Sequence, residues 1–567
     1  MREIVTIQVG NYANFIGSHF WNFQVAHSLF LYKFPLGIVE YDELLGLAES
    51  PESDQVFKDH SLDMDVLYRT GETQQDLLTY TPRMVSVNFQ GSLGSVSSCG
   101  SLYNQIPTKS LDVMTWKGKV TTHASEPLRR NLFLQSLSEE EQESLCKAND
   151  LDNVNNNSQP EIQDKDIDFN NYGLGKEAFC GHQHGEEIDD RLCFFIEECD
   201  HIQGIQCIVD DSGVFSGVSA MFLESIADEY PNVPVLLYNA RNPSLQMDSK
   251  GRKQAISRNL HDAVSFSRLS ELCKLIIPVG LPSLSGSRAS QFLCIKDEKP
   301  YHSSAVYVSA MHSFSLPFRM KQSGPSAESI CTYGALDMYG IVQTLAGQTR
   351  QNMVTILDVA MPAPSLSVLS RKLQPLTPDV AADVEDFHAV ETMNIHGAVT
   401  AACPEILDLF NCSSPCNFQE AKGASINEVK DAVEAAYDTS VTRPKFSHLS
   451  ASTCPLPIPL PFPLIFGNMV GQHGELLETP ISGSSSRGSL EVHSIPMATR
   501  LRSNAAVLPF LESKLGNLRR FDPFRTRYRS RGYHLSVDLM GVKATLLGNS
   551  ALRSAVIRRK ISSDLYL

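Results

Sequence analysis

Residues 1–21 read MREIVTIQVGNYANFIGSHFW. Ile4 to Val9 is a short apolar run closed by Gly10, the pattern of a buried strand, and a helix is expected from about Asn14. The same alternation of buried run and helical pattern recurs down the N-terminal half. Met84 to Phe89 reads as a second strand ending in the turn Gln90-Gly91-Ser92, and Gly204 to Val209 as a third. The loop after it leads into a helix over about 216–230. That helix sets Val218, Met221, Phe222, Ser225 and Ile226 on one face, at the spacing of a core stripe. Val235 to Tyr238 and Leu275 to Val279 continue the strands, with an amphipathic helix near His261–Lys274 between them. Met353 to Val359 reads as a later buried strand. Strands alternating with helices in this way predict an α/β fold with a Rossmann-type parallel sheet.

At 567 residues the chain exceeds one ordinary core, so two or three domains are expected. With 42% apolar and 20% charged residues it has the composition of a globular protein. A formal charge of −16 argues against wholesale nucleic-acid binding, and no nucleic-acid partner is expected. The 13 cysteines form no CxxC pair. The spacing of Cys193, Cys199 and Cys207 suits no common zinc site, so reduced thiols and no metal are expected. His182 and His184 read as part of a loop. Met1-Arg2-Glu3 leads straight into the first strand, so no signal peptide is expected. The longest apolar stretch, Pro455 to Val470, carries prolines at 455, 457, 459, 461 and 463. It cannot keep helical bonds satisfied in lipid, and an extended polyproline-like connector is expected there. Membrane attachment, where it occurs, is expected to be peripheral.

The opening segment resembles that of tubulins, MREIV-x-IQ-x-G-xxx-N-x-IG-xx-FW, matched here from Met1 to Val5 and at Ile7, Gln8, Gly10, Asn14, Ile16, Gly17, Phe20 and Trp21. Pro82 to Gly91 is similar to the tubulin block PRAVLVDLEPG. Cys199 to Gln206 is similar to CDCLQGFQ, and Asp228-Glu229-Tyr230-Pro231 ends the next helix as in tubulins. The resemblance covers roughly residues 1–320 in patches. It implies a tubulin/FtsZ-like fold with a second α/β domain and an irregular C-terminal region. Gly10, Asn14, Gly17, Gly213 and Gly217 then stand where the family places its nucleotide loops.

The departures bear on chemistry. Where tubulins carry GGGTGSG, a loop that offers backbone N–H groups to phosphate at a helix start, this chain has Asp211-Ser212-Gly213-Val214-Phe215-Ser216-Gly217, with Asp210 before it. One carboxylate beside a phosphate oxygen costs about 4 kcal/mol at ~4 Å and an effective dielectric of about 20. The acidic pair of VDLEP is replaced by Asn88 and Gln90, neutral amides that balance no divalent charge. Asn11-Tyr12-Ala13 replaces the QCG under the nucleotide, and Tyr12 is expected to occupy that space. The activation loop that tubulin contributes to a neighbouring subunit resembles Tyr301–Met320. No acidic residue lies between Lys299 and Ala327 to activate water. No catalytic residue and no bound cofactor are expected, GTP remaining the alternative.

With the blocks EPLRRNLFLQSL (126–137) and NLHDAVSFSRLSEL (259–272), the chain is identified as a member of the Misato family of mitochondrial distribution and morphology proteins. The resemblance implies a non-enzymatic cytoplasmic protein, partly at the mitochondrial outer-membrane surface, with protein partners. Alternatives are a GTP-binding self-assembling tubulin homologue, or an accessory factor engaging tubulin or the cytosolic chaperonin. The expected organisation is a Misato/tubulin-like segment over 1–137, a disordered acidic and Asn-rich insert over 138–172, and an α/β domain over 173–350. A second domain over 351–450, a Pro/Ser-rich connector over 451–490 and a C-terminal region over 491–567 follow. The last contains Arg519, Arg520, Arg525, Arg527, Arg529 and Arg531, a basic patch with interleaved aromatics suited to an anionic lipid or acidic protein surface.

Overall fold

The computed structural model describes residues 2–31, 63, 65–72, 78–88, 133, 135–137, 172–180, 184–244, 252–320, 331–346, 353–363, 373–381, 390–397, 426–438, 446–452, 455–477, 479–482 and 486–520. The elements below belong to one compact unit, Met1–Val87 with Asn156–Leu567; Asn88–Asn155 form another.

In chain order, β1 (Glu3–Val9) and α1 (Asn11–Leu31) precede the hairpin β2 (Tyr68–Glu72) and β3 (Leu78–Pro82), then β4 (Met84–Val87). Next come α2 (Tyr172–Cys180), α3 (His184–Glu197), β5 (Ile202–Asp210), α4 (Gly213–Glu229), β6 (Val235–Ala240), α5 (Arg252–Leu272) and β7 (Leu275–Val279). The middle holds α6 (Pro300–Phe314), α7 (Leu316–Arg319), β8 (Cys331–Tyr333), α8 (Met338–Ala346), β9 (Met353–Val354), β10 (Ile356–Ala360), β11 (Gln374–Pro375) and β12 (Val390–His396). Last are α9 (Ile426–Asp438), β13 (Phe446–Ser452), β14 (Leu456–Pro457), β15 (Phe466–Gly467), β16 (Ser486–Arg487), β17 (Ser494–Ile495), β18 (Met497–Ser503) and α10 (Leu508–Arg520).

The first sheet runs β4-β1-β5-β6-β7-β9, parallel throughout. Alternation along a strand sends neighbours to opposite faces. Val5, Ile7 and Val9 of β1, with Ile205, Cys207 and Val209 of β5, therefore share a core with Phe222 of α4, Phe266 of α5 and Phe510 of α10. The other face takes α1, which comes so close that a Cβ on Gly17 would lie 2.1 Å from Gln8 Oε1.

The second sheet, β11-β10-β18-β12-β13-β8, is mixed: β18 is antiparallel to β10 and β12, while β12, β13 and β8 run parallel. It draws strands from both sides of the expected 351–450 span. Between the sheets lies α6, buried from Tyr301 to Phe314. A helix apolar or small all round belongs in a core, and this one packs on α1, β12 and β18. The stretch expected to resemble a loop reaching a neighbouring subunit is thus the buried helix α6 followed by the short α7, tied by Ser313 of α6 to Thr499 across 3.1 Å and by Arg319 of α7 to Gln24 across 2.9 Å.

Three further expectations change. The buried run Met353–Val359 is two strands in two sheets, hinged at Thr355, whose N–H and hydroxyl both donate to the Ile276 carbonyl. The proline stretch is packed instead of forming a free connector. Leu456, Ile458, Phe462, Ile465 and Phe466 are buried, and the Phe462 ring lies 5.7 Å from Phe23 and 5.8 Å from Phe466. Prolines forbid helix but leave the apolar side chains between them free to bury. The C-terminal region is regular through Arg520, as β18 and α10. The expected insert lies outside the described residues up to 171, and Tyr172 opens α2.

Candidate functional site

Strand order reverses between β1 and β5, and ligands of open α/β sheets bind beyond the carboxyl ends of strands at such a point. β1 closes on Gly10, with φ of +121°, and α1 starts at once. The first turn of α1 contains no acidic side chain of its own, so its amides need an acceptor from elsewhere. Asp210, at the end of β5, supplies it. Its carboxylate accepts the Ala13 N–H at 2.7 Å and the Tyr12 N–H at 3.3 Å. A Cβ on Gly10 would stand 2.3 Å from Asp210 Cγ, so glycine is needed both for its backbone angle and for this approach. This cap is why α1 begins at Asn11, ahead of the expected Asn14. Burial pushes the Asp210 carboxyl up to about 7, opposed by the amide bonds it receives.

Asp211 goes the other way. It turns to the α5 face and pairs with Arg241 at 2.5 Å, and the same guanidinium reaches Asp262 at 2.6 Å. The sequence reading placed both carboxylates near one phosphate. Strand alternation separates them, and only Asp210 enters the crevice.

The other expected positions are structural ties. Asn14 links α1 to β4, accepting from Ser86 Oγ at 2.7 Å and donating to the Val87 carbonyl at 3.4 Å. Gly213 starts α4 with φ of +78°. Gly217 faces α2, where a Cβ would lie 2.2 Å from the Tyr172 carbonyl. Tyr12 is buried, as expected of a space-filling side chain, but against α6: its hydroxyl meets Ser303 Oγ at 2.8 Å and its ring stands edge-on to Tyr307. Gln90, His182 and the arginines 525, 527, 529 and 531 lie outside the described residues. Arg519 and Arg520 close α10. His184 opens α3, where a loop was expected. Among the described residues, no three His, Cys, Asp or Glu side chains converge to hold a metal ion, and no helix is long and apolar enough to cross a membrane. Sequence reasoning missed the partners Arg241 and Asp262. The signal for Asp210 was present, as an acid at a strand end opposite an uncapped helix.

A parallel sheet with its reversal between β1 and β5, joined by a buried central helix to a mixed sheet, defines a tubulin-like protein. Family models agree: residues 2–34 and 42–139 match the Misato Segment II tubulin-like domain, and residues 150–320 match a tubulin domain. The chain is 28% identical over 410 residues to Protein misato homolog 1 of Mus musculus, covering 65% of this chain and 69% of that one. It is 27% identical over 370 residues to the Homo sapiens protein of the same name, covering 57% and 60%. To Protein DML1 of Gibberella zeae it is 26% identical over 352 residues, covering 60% and 64%. Over these stretches the chain is similar to proteins of the Misato family.

Proposed function

We propose that this chain is a non-enzymatic regulator of mitochondrial distribution and morphology, acting from the cytoplasm and the outer-membrane surface, with its tubulin-type crevice held by its own Asp210 in place of GTP. The observation that carries the closed crevice is the Asp210 carboxylate on the amides of Tyr12 and Ala13. Amides at a helix start attract an anion, and here the anion is a side chain. A phosphate entering the crevice would meet a carboxylate where it needs donors. The mitochondrial role rests on the similarity to Misato proteins and on the basic stretch from Arg519, which suits an anionic surface.

The test is nucleotide content after purification with magnesium and excess GTP, with tubulin as the positive control. The chain is expected to be empty, and one guanine nucleotide per chain would overturn the closed-crevice reading. Depletion in cells, with imaging of the mitochondrial network, tests the second part. An unaltered network under verified depletion would refute it.

A further inference from the structure

Alternation puts a second polar site on the opposite face of the first sheet, away from the Asp210 crevice. Beyond the carboxyl ends of β5, β6 and β7, roofed by α10, lies a cavity of about 370 Å³, within the size range of small-molecule sites. Its lining includes Asp211, Asn239, Arg241, Asp262 and Lys514, with Asp379 exposed at the rim.

The groups in this lining are unevenly matched. Arg241 is engaged by Asp211 and Asp262 through one oxygen of each. The other oxygens, Asp211 Oδ1 and Asp262 Oδ1, and the side-chain oxygen of Asn239 are buried and accept no hydrogen bond among the described residues. Leaving a buried acceptor without a donor is unfavourable, the more so when it is charged. Lys514 is buried as well, yet makes no ion pair among the described residues. Its ammonium lies 5.4 Å from the Phe510 ring centre and 6.0 Å from that of Phe266. Burial and the nearby Arg241 push its pKa down. The cavity therefore presents acceptors lacking donors beside a cation lacking an acceptor.

A simple anion would satisfy Lys514 but stand against three aspartates. A simple cation would suit the aspartates and meet Lys514 and Arg241. A molecule carrying both signs answers both needs. We infer that this cavity binds a small zwitterion of amino-acid size, with its ammonium toward Asp211, Asp262 and Asn239 and its carboxylate on Lys514 Nζ. The site lies on a different face from the crevice and stands whether or not the crevice takes nucleotide.

The experiment is calorimetric titration of the full chain with glycine, alanine, glutamate and lysine, and separately with acetate and methylammonium as single-charge probes. At least one amino acid is expected to bind about tenfold or more tightly than either single-charge probe. Lys514→Met is expected to weaken that binding about tenfold or more, through loss of a charge-assisted bond. Absence of amino-acid binding up to millimolar concentration overturns the inference. So does acetate binding as tightly as the zwitterions, or unchanged binding by a folded Lys514→Met protein. Should that variant fail to fold, the comparison of probes on the unmutated chain decides alone.

Discussion

Replacing Asp210 by asparagine separates the two properties of that side chain, its charge and its capping oxygen. In the folded protein, burial pushes the carboxyl up to about 7, while the amides of Ala13 and Tyr12 act against that rise. In the unfolded chain an aspartate loses its proton near pH 4. Between those values the folded state holds the proton that the unfolded state has released, so stability falls as pH rises through the window. The contribution is fully present below about pH 4 and is lost as pH passes about 7. A shift from 3.8 to about 7 corresponds to roughly 4 kcal/mol at 1.36 kcal/mol per unit, an upper bound on the effect.

Asp210→Asn keeps an acceptor oxygen for α1 and has no charge to bury. It is expected to match the unmutated protein to within about 1 kcal/mol near pH 4.5, the typical worth of a cap. Near pH 8 it should be more stable, by as much as ~4 kcal/mol. Paired thermal melts or urea titrations across that range measure the difference. Asp211, whose carboxyl burial also pushes up, is present in both proteins and cancels. A difference that does not change with pH would refute the reasoning, as would a variant less stable at pH 8. Either result would mean that the amide bonds outweigh the burial of charge.

Gly217→Ala puts a methyl group 2.2 Å from the Tyr172 carbonyl, which belongs to backbone and cannot swing aside. A loss of about 1–3 kcal/mol is expected, and an unchanged melting temperature would contradict the close crossing of α2 and α4. Asp358→Ala removes a buried carboxylate that accepts from Arg500 at 2.9 Å and from Arg502 at 2.6 Å, leaving both cations undercompensated. About 3–5 kcal/mol should be lost in denaturant titration; less than about 1 kcal/mol, the value of an exposed pair, would show the pair to be solvated. Phe462→Ala should cost about 3–5 kcal/mol, measured the same way, whereas a free connector would show almost no effect.

The first sheet was legible where a strand is a pure apolar run with clear punctuation. Leu275–Val279 reads to the residue, since both faces of a central parallel strand are buried. The second sheet was not, because β10 finds its partner β18 far along the chain, and pairing at that separation leaves no local periodicity. The break at Thr355 is invisible for the same reason: its polarity is answered by Ile276 on another strand. The proline stretch was read correctly as non-helical, but its packing on Phe23 joins parts of the chain more than four hundred residues apart. In the crevice, residue types were legible and directions were not. Asp211 was read in the phosphate loop with Asp210 alongside it, although the period of two along a strand already implies opposite faces. The cavity under α10 depends on Lys514 meeting Asp211 and Asp262 in space, which no spacing rule announces.

Asp210 also bears on why a charged residue would stand at this position. A neutral acceptor such as asparagine or serine caps a helix about as well as aspartate, without the burial penalty that pushes this carboxyl up to about 7. If capping were its whole role, the neutral side chain would be the cheaper solution. The charge adds repulsion toward any anion approaching the amides of Tyr12 and Ala13, about 4 kcal/mol per phosphate oxygen charge at ~4 Å and an effective dielectric of about 20. That is near a thousandfold in affinity, and comparable to the stability the carboxylate sacrifices at neutral pH. The proposed closed crevice thus gives the buried charge a use that the fold alone does not. It also ties the two measurements together, since the pH window in which Asp210 is ionised is the window in which exclusion of nucleotide should be strongest.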